Sequence, residues 1–130
     1  MPAQLQQAAS DNIIAVVDDD PAVRASLQFA LEVEGFGVRV YPDAQAMLAA
    51  GQFADYRCVI IDQNLPAMSG LDLVAQLRQR SVLVPAILIT SHPSAVLRGR
   101  ADQAGVPIVE KPLLGNALVD KVRLMIARGR

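Results

Sequence analysis

The side chains able to do chemistry stand at four places, each at the end of an apolar run. "IIAVV" closes in three successive carboxylates, Asp18, Asp19 and Asp20; "CVIID" closes in Asp62; "AILIT" closes in Thr90; and "VPIVEKP" carries Lys111 just past its last apolar residue. Runs rich in Ile and Val read as strands buried on both faces, and three negative charges at such an end are costly unless something positive collects there. With Asp19 and Asp62 ~4 Å apart, their repulsion would be on the order of 4 kcal/mol at an effective dielectric near 20, with Asp18 adding to it. A divalent cation offsets that cost. An all-oxygen site with room for waters suits Mg²⁺, or Mn²⁺, whereas zinc would want His or Cys, and His92 is the only histidine. Carboxylates, a cation, a hydroxyl and an ammonium in one crevice are the parts of a phosphoryl-transfer site. Asp62, alone at its strand end with a loop after it, is the expected nucleophile.

Only a particular arrangement of elements brings these four ends together. "DPAVRASLQFALEVEG" reads as a helix with Asp20 as N-cap, Pro21 at its first position and Gly35 past its end. "FGVRV" follows as a strand, "PDAQAMLAAG" as a short helix and "CVIID" as a strand. "SGLDLVAQLRQR" is a helix capped by Ser69, and "PAILIT", "SAVLRGRADQAG", "VPIVE" and "GNALVDKVRLMIARGR" continue the alternation of strand and helix. Five strands and five helices in alternation predict an α/β fold, a parallel sheet with helices on both faces. The first, third and fourth strands are continuously apolar, whereas the second carries Gly37 and Arg39 and the fifth carries Pro107, so those two belong at the edges. The doubly wound order 2-1-3-4-5 follows, with its ligand crevice where the carboxyl ends of strands one and three meet.

Composition narrows the function classes. The chain has 130 residues, 52% of them hydrophobic, which fits one domain with a real core. Its net charge of −1 gives no basic field for nucleic acid. The opening "MPAQLQQAASDN" lacks the basic start and apolar core of a signal peptide, and no apolar run approaches membrane-spanning length. The expected location is cytoplasmic, with no membrane partner. Cys58, the only cysteine, begins an apolar strand and reads as a packing residue. His92 reads as a loop or helix-start residue near the site, where it would modulate dephosphorylation rather than act as a base. Phe29 and Val33 fall on the helix face away from Val23, Leu27 and Leu31; partial cover by neighbours and a kinase-docking patch are the two readings of that face.

Taken together, "VVDDDP", "VIIDQNLPAMSGLDL", "LITSH" and "VEKPL" resemble the receiver domain of two-component response regulators, over about residues 13 to 127. "LPAMSGLDL" is most similar to receivers of the nitrogen-fixation regulator type. The resemblance implies a flavodoxin-like fold, flanked by short tails at residues 1–12 and 128–130. It implies that Asp62 accepts a phosphoryl group from a sensor histidine kinase or phosphotransfer protein, and that Asp19 directly, and Asp18 mainly through water, hold Mg²⁺ with Asp62 and the backbone carbonyl of Asn64. Thr90 matches the hydroxyl that turns toward the phosphoryl group, Lys111 the lysine that pairs with it, and Pro112 the proline after a cis peptide bond. Asp20 fits the cap role better than a metal role. Ile108 departs from the pattern, because the family often places Tyr or Phe there as a rotating switch. With a buried aliphatic at Ile108, output is expected to rely on Thr90 and on shifts of the fourth helix and fifth strand toward a downstream protein partner. Val119, Leu124 and Ile126, off the Leu118, Val122, Met125 stripe, are expected to widen that face into a homodimer contact.

Rival classes meet the same residues. A haloacid dehalogenase-type phosphatase wants a second aspartate two residues after its nucleophile, where this chain has Asn64; an enzyme acting on outside substrates is not expected. A dinucleotide-binding module needs a glycine-rich turn after the first strand, and "DDDPAVR" has none. A DNA-reading domain would have to follow Arg130. As a complete protein this reads as a single-domain regulator; as an excised piece, it is the receiver of a DNA-binding transcriptional regulator. A phosphorylation-independent pseudo-receiver is the remaining alternative.

Overall fold

The computed structural model describes residues 12–113 and 115–129. Along them run β1 (Ile13–Val17), α1 (Pro21–Val33), β2 (Gly37–Tyr41), α2 (Ala44–Ala50), a 3-10 turn (Phe53–Asp55), β3 (Tyr56–Asp62), α3 (Gly70–Gln79), β4 (Ala86–Thr90), α4 (Ala95–Gln103), β5 (Ile108–Glu110) and α5 (Ala117–Arg128). The expected tail at residues 1–12 lies outside the described residues apart from Asn12; at the other end α5 includes Arg128 and is closed by Gly129.

The strands form one parallel sheet in the order β2-β1-β3-β4-β5, as the apolar content of the central three predicts. Alternate residues feed opposite faces. Ile14 and Val16, Cys58 and Ile60, and Ile87 and Ile89 pack with Leu27 and Leu31 of α1 and Leu118, Val119 and Val122 of α5. Ala15 and Val17, Val59 and Ile61, and Ala86 and Leu88 pack under α2, α3 and α4 with Met47, Leu73, Val74, Leu77 and Ala101. The fully buried stretches Ile14–Val17, Cys58–Ile61 and Ala86–Ile89 are wholly apolar, so polar chemistry on the central strands stands at their carboxyl tips.

Side-chain caps set where four of the helices begin. The Asp20 carboxylate accepts from the Ala22 and Val23 amides, with Pro21 at the first position; Asp43 accepts from Ala46, Ser69 from Asp72 and Ser94 from Leu97. Two expectations need correction. Val119 is buried at 9% exposure, because α5 packs against α1 as well as the sheet, so it does not widen an outer face. Ile108 is half-buried rather than buried, because β5 is an edge strand with a strand neighbour on one side only, although Ile108 and Val109 each pack on a face of the core.

Candidate phosphoryl-transfer site

Parallel register carries the four chemistry-bearing ends to one edge of the sheet. Val17 pairs with Ile61, so Asp18 and Asp62 stand one step past that pair on neighbouring strands. Asp62 pairs with Ile89, the residue before Thr90, and Thr90 pairs with Glu110, the residue before Lys111. The Lys111 amide then donates to the Thr90 carbonyl at 2.8 Å, and the Lys111–Pro112 peptide is cis.

One carboxylate oxygen from each of Asp18, Asp19 and Asp62 lies within 4.8 Å of the others. Asp18 and Asp62 are buried and Asp19 is exposed, so the cluster opens to solvent on one side. The Lys111 ammonium donates to Asp62 Oδ2 at 3.0 Å and stands 3.9 Å from Asp18 Oδ2. The Asn64 amide donates to Asp62 Oδ1 at 3.0 Å, giving each Asp62 oxygen one donor. Asp18 Oδ1 accepts from the Asp20 amide at 2.9 Å, whereas Asp18 Oδ2 is buried without a hydrogen-bond partner. An orphaned, buried carboxylate oxygen is expensive, and here it belongs to an all-oxygen donor set with no His or Cys. These residues fit a hard divalent cation such as Mg²⁺.

The charges answer to one another. Burial lifts the Asp18 carboxyl above its ordinary range; the bond from the Asp20 amide opposes this and the Asp62 charge reinforces it. Burial alone would lower Lys111, but the Asp62 hydrogen bond and the charges of Asp62, Asp18 and Asp19 outweigh it and hold the ammonium above its ordinary value. Thr90 is buried, its hydroxyl donating only a long 3.4 Å bond to the Ser91 carbonyl. Asp20 is occupied as the cap of α1. His92 is an exposed loop residue with φ 48, and Ile108 packs against the α2, α3 and α4 side of the core.

A family model for the response regulator receiver domain matches residues 14–123. The chain belongs to that family. This receiver is 36% identical over 116 residues to the transcriptional regulatory protein FixJ of Azorhizobium caulinodans, a match that covers 88% of this chain and 55% of that protein. The crystal structure of FixJ-N superposes with a TM-score of 0.78 at 30% identity, covering 92% of this chain and 96% of that one. The receiver domain of the Francisella response regulator 1452 superposes at TM-score 0.83 and 22% identity, covering 92% and 99% of the two chains, and so attests the fold. The chain spans about half the length of the curated FixJ relatives it matches. Receivers act as signalling switches between histidine kinases and downstream effectors. No helix among the described residues is long and apolar enough to cross a membrane.

Three residues that pack around these groups were not singled out from the sequence. Arg24 donates from Nη1 to the Asp18 carbonyl at 2.8 Å; a basic residue one turn into the helix after the acidic run was its signal. Gln63 accepts from the Leu71 amide at 3.0 Å through Oε1 and bonds the Gly70 amide through its carbonyl at 3.0 Å, tying the loop after Asp62 to α3. Gly70 faces the Asp62 carbonyl so closely that an added Cβ would lie 2.5 Å from it, an approach that no local pattern reveals.

Proposed function

We propose that this receiver takes a phosphoryl group onto Asp62 from the phosphohistidine of a sensor kinase or phosphotransfer protein, and that the aspartyl phosphate changes which partner the domain engages. The observation that carries the reading is the buried Asp62 carboxylate, bonded by Lys111 at 3.0 Å and grouped with Asp18 and Asp19. Asp18, Asp19 and Asp62, with the Asn64 carbonyl, are the residues that would hold Mg²⁺. When bound, Mg²⁺ neutralises the negative charge that gathers on the phosphoryl oxygens.

Asp62 then supplies the attacking oxygen. A new O–P bond forms as the N–P bond to the donor imidazole breaks, and the imidazole nitrogen leaves with the electron pair. Lys111 stays beside the acceptor carboxylate and stabilises the transferring oxygens, and Thr90 turns its weakly held hydroxyl toward them. The product is a mixed anhydride, labile enough for a reversible switch. With Ile108 in place of a swinging aromatic, Thr90 and movement of α4 and β5 carry the signal outward; Leu124, 41% exposed, and Ile126 remain as the apolar part of the homodimer face on α5.

The test is incubation with Mg²⁺ and acetyl phosphate, followed by intact mass and a peptide map. One added phosphoryl group on Asp62, absent from a folded Asp62→Asn variant, is the expected result. A Mg²⁺-competent wild type that never labels, with this donor or any kinase, would instead be a phosphorylation-independent pseudo-receiver.

A second reading concerns what the switch controls. Because the matched relatives are named transcriptional regulators and the chain spans about half of their length, the receiver of a DNA-binding regulator stands beside a single-domain carrier. Expression from the native locus, with immunodetection of the product's length, separates them.

A further inference from the structure

Asp18 follows β1, one residue beyond the last pair that the strand makes with either neighbour. Its amide still donates to the Tyr41 carbonyl at 3.1 Å, but its own carbonyl has left the ladder. The partner that this carbonyl finds is the Arg24 guanidinium, at 2.8 Å. Arg24 is half-buried and stands on α1, whose start is fixed by the Asp20 carboxylate on the Ala22 and Val23 amides. A closed loop results: β1 leads through Asp18 and Asp20 into α1, and α1 returns through Arg24 to grip the peptide between Asp18 and Asp19.

The choice of acceptor matters. An arginine beside three carboxylates would ordinarily bond a carboxylate oxygen bidentately, which here would use up the donors needed for a cation. Arg24 takes the main-chain oxygen instead, and Asp18 Oδ2 accepts no hydrogen bond, with only the Lys111 ammonium near it at 3.9 Å. We propose that Arg24 is a positioning residue, holding the Asp18–Asp19 peptide so that both carboxylates meet Asp62 in a cation-ready cluster; this rests on the phosphoryl-accepting reading given above. A group that orients the ligands of a metal typically governs affinity by 10- to 100-fold, whereas a mere fastening of α1 would alter stability and leave affinity alone.

The test compares the full chain with Arg24→Ala and Arg24→Lys in two titrations: Mn²⁺ uptake followed by electron paramagnetic resonance, and the Mg²⁺ dependence of labelling by acetyl phosphate. Arg24→Ala is expected to raise the half-saturating cation concentration by about tenfold or more, with the labelling rate at saturating Mg²⁺ kept within about twofold. Arg24→Lys, which retains a charged donor of somewhat shorter reach, should recover part of the affinity. A folded Arg24→Ala that binds cation as well as wild type overturns the proposal, as does one that binds more tightly, which would make the arginine a repelling charge. Should Arg24→Ala not fold, Arg24→Gln decides, and wild-type affinity in it overturns the proposal equally. A wild type that takes up no divalent cation brings down the underlying reading, and this inference with it.

Discussion

Asp18 has no solvent exposure and one oxygen without a hydrogen-bond partner, so without a cation it is a liability to the fold. Burial raises its folded pKa above the ordinary 3.8, with the Asp62 charge adding to the shift. A raised carboxyl pKa means that the folded chain holds this proton more tightly than the unfolded chain does. The stability contributed is therefore full below the unfolded value and is lost as pH rises through the folded one. In EDTA at pH 7, Asp18→Asn should stabilise the protein by about 1–3 kcal/mol, the usual cost of a buried unsatisfied group, and should flatten the decline of stability between mildly acid and neutral pH. Urea unfolding at both pH values checks this, and a variant less stable than wild type at pH 7 would refute it. The same substitution should weaken Mg²⁺ binding, a separation of fold from function expected of a group kept for its chemistry. Cys58 is the contrasting case. It is fully buried, with its thiol pushed up to about 12 by desolvation, and thiolate is the reactive form. A thiol reagent at pH 8 should label it only as fast as the protein unfolds; rapid labelling of the native protein would show that the strand opens locally.

Helices and strands owe their positions to signals of very different range. The caps at Asp20 and Ser69 were legible because a side chain and the amide it bonds lie within three residues of each other. The central place of β1, β3 and β4 was legible because burial on both faces demands unbroken apolar runs. The fate of Val119 was not, since helical spacing places it off the main stripe and only the packing of α5 against α1 covers it. Gly70 is the sharpest case. Its side-chain position meets the Asp62 carbonyl at 2.5 Å and Ile61 and Leu88 at 2.9 Å, so the first turn of α3 sits directly behind Asp62. Backbone cannot yield there without moving β3. Gly70→Ala should cost about 1–3 kcal/mol of stability, as overpacking usually does, and should slow labelling of Asp62 further by shifting its carboxylate. Denaturant unfolding and acetyl phosphate labelling measure the two effects, and a variant unchanged in both would contradict the close packing.

At the scale of the molecule, the chemistry lies at one edge of the sheet, and two of the large exposed apolar side chains share the outer face of one helix. On α1, Phe29 is 71% and Val33 65% exposed, so the first of the two readings of that face, cover by neighbours, is not what the fold supplies. On the same helix runs a groove of about 440 Å³ between α1 and the segment leading into α5, with exposed small residues such as Ala22, Ser26 and Ala30 in its walls and reaching Lys111. A partner that delivers a phosphoryl group to Asp62 must settle next to the site, and this apolar surface is continuous with it through Lys111. The kinase-docking reading of this face is the one to test. Acetyl phosphate needs no such seat. Phe29→Ala should therefore leave labelling by acetyl phosphate within about twofold and folding within about 0.5 kcal/mol, as for other surface substitutions. Transfer from whichever histidine kinase phosphorylates the wild type fastest should fall by about tenfold or more under subsaturating conditions, the loss of an aromatic anchor worth ~1.4 kcal/mol or above. Parallel time courses with the two donors decide the matter. Equal loss with both would place Phe29 in the chemistry or the fold, and no loss with the kinase would move the docking surface off α1.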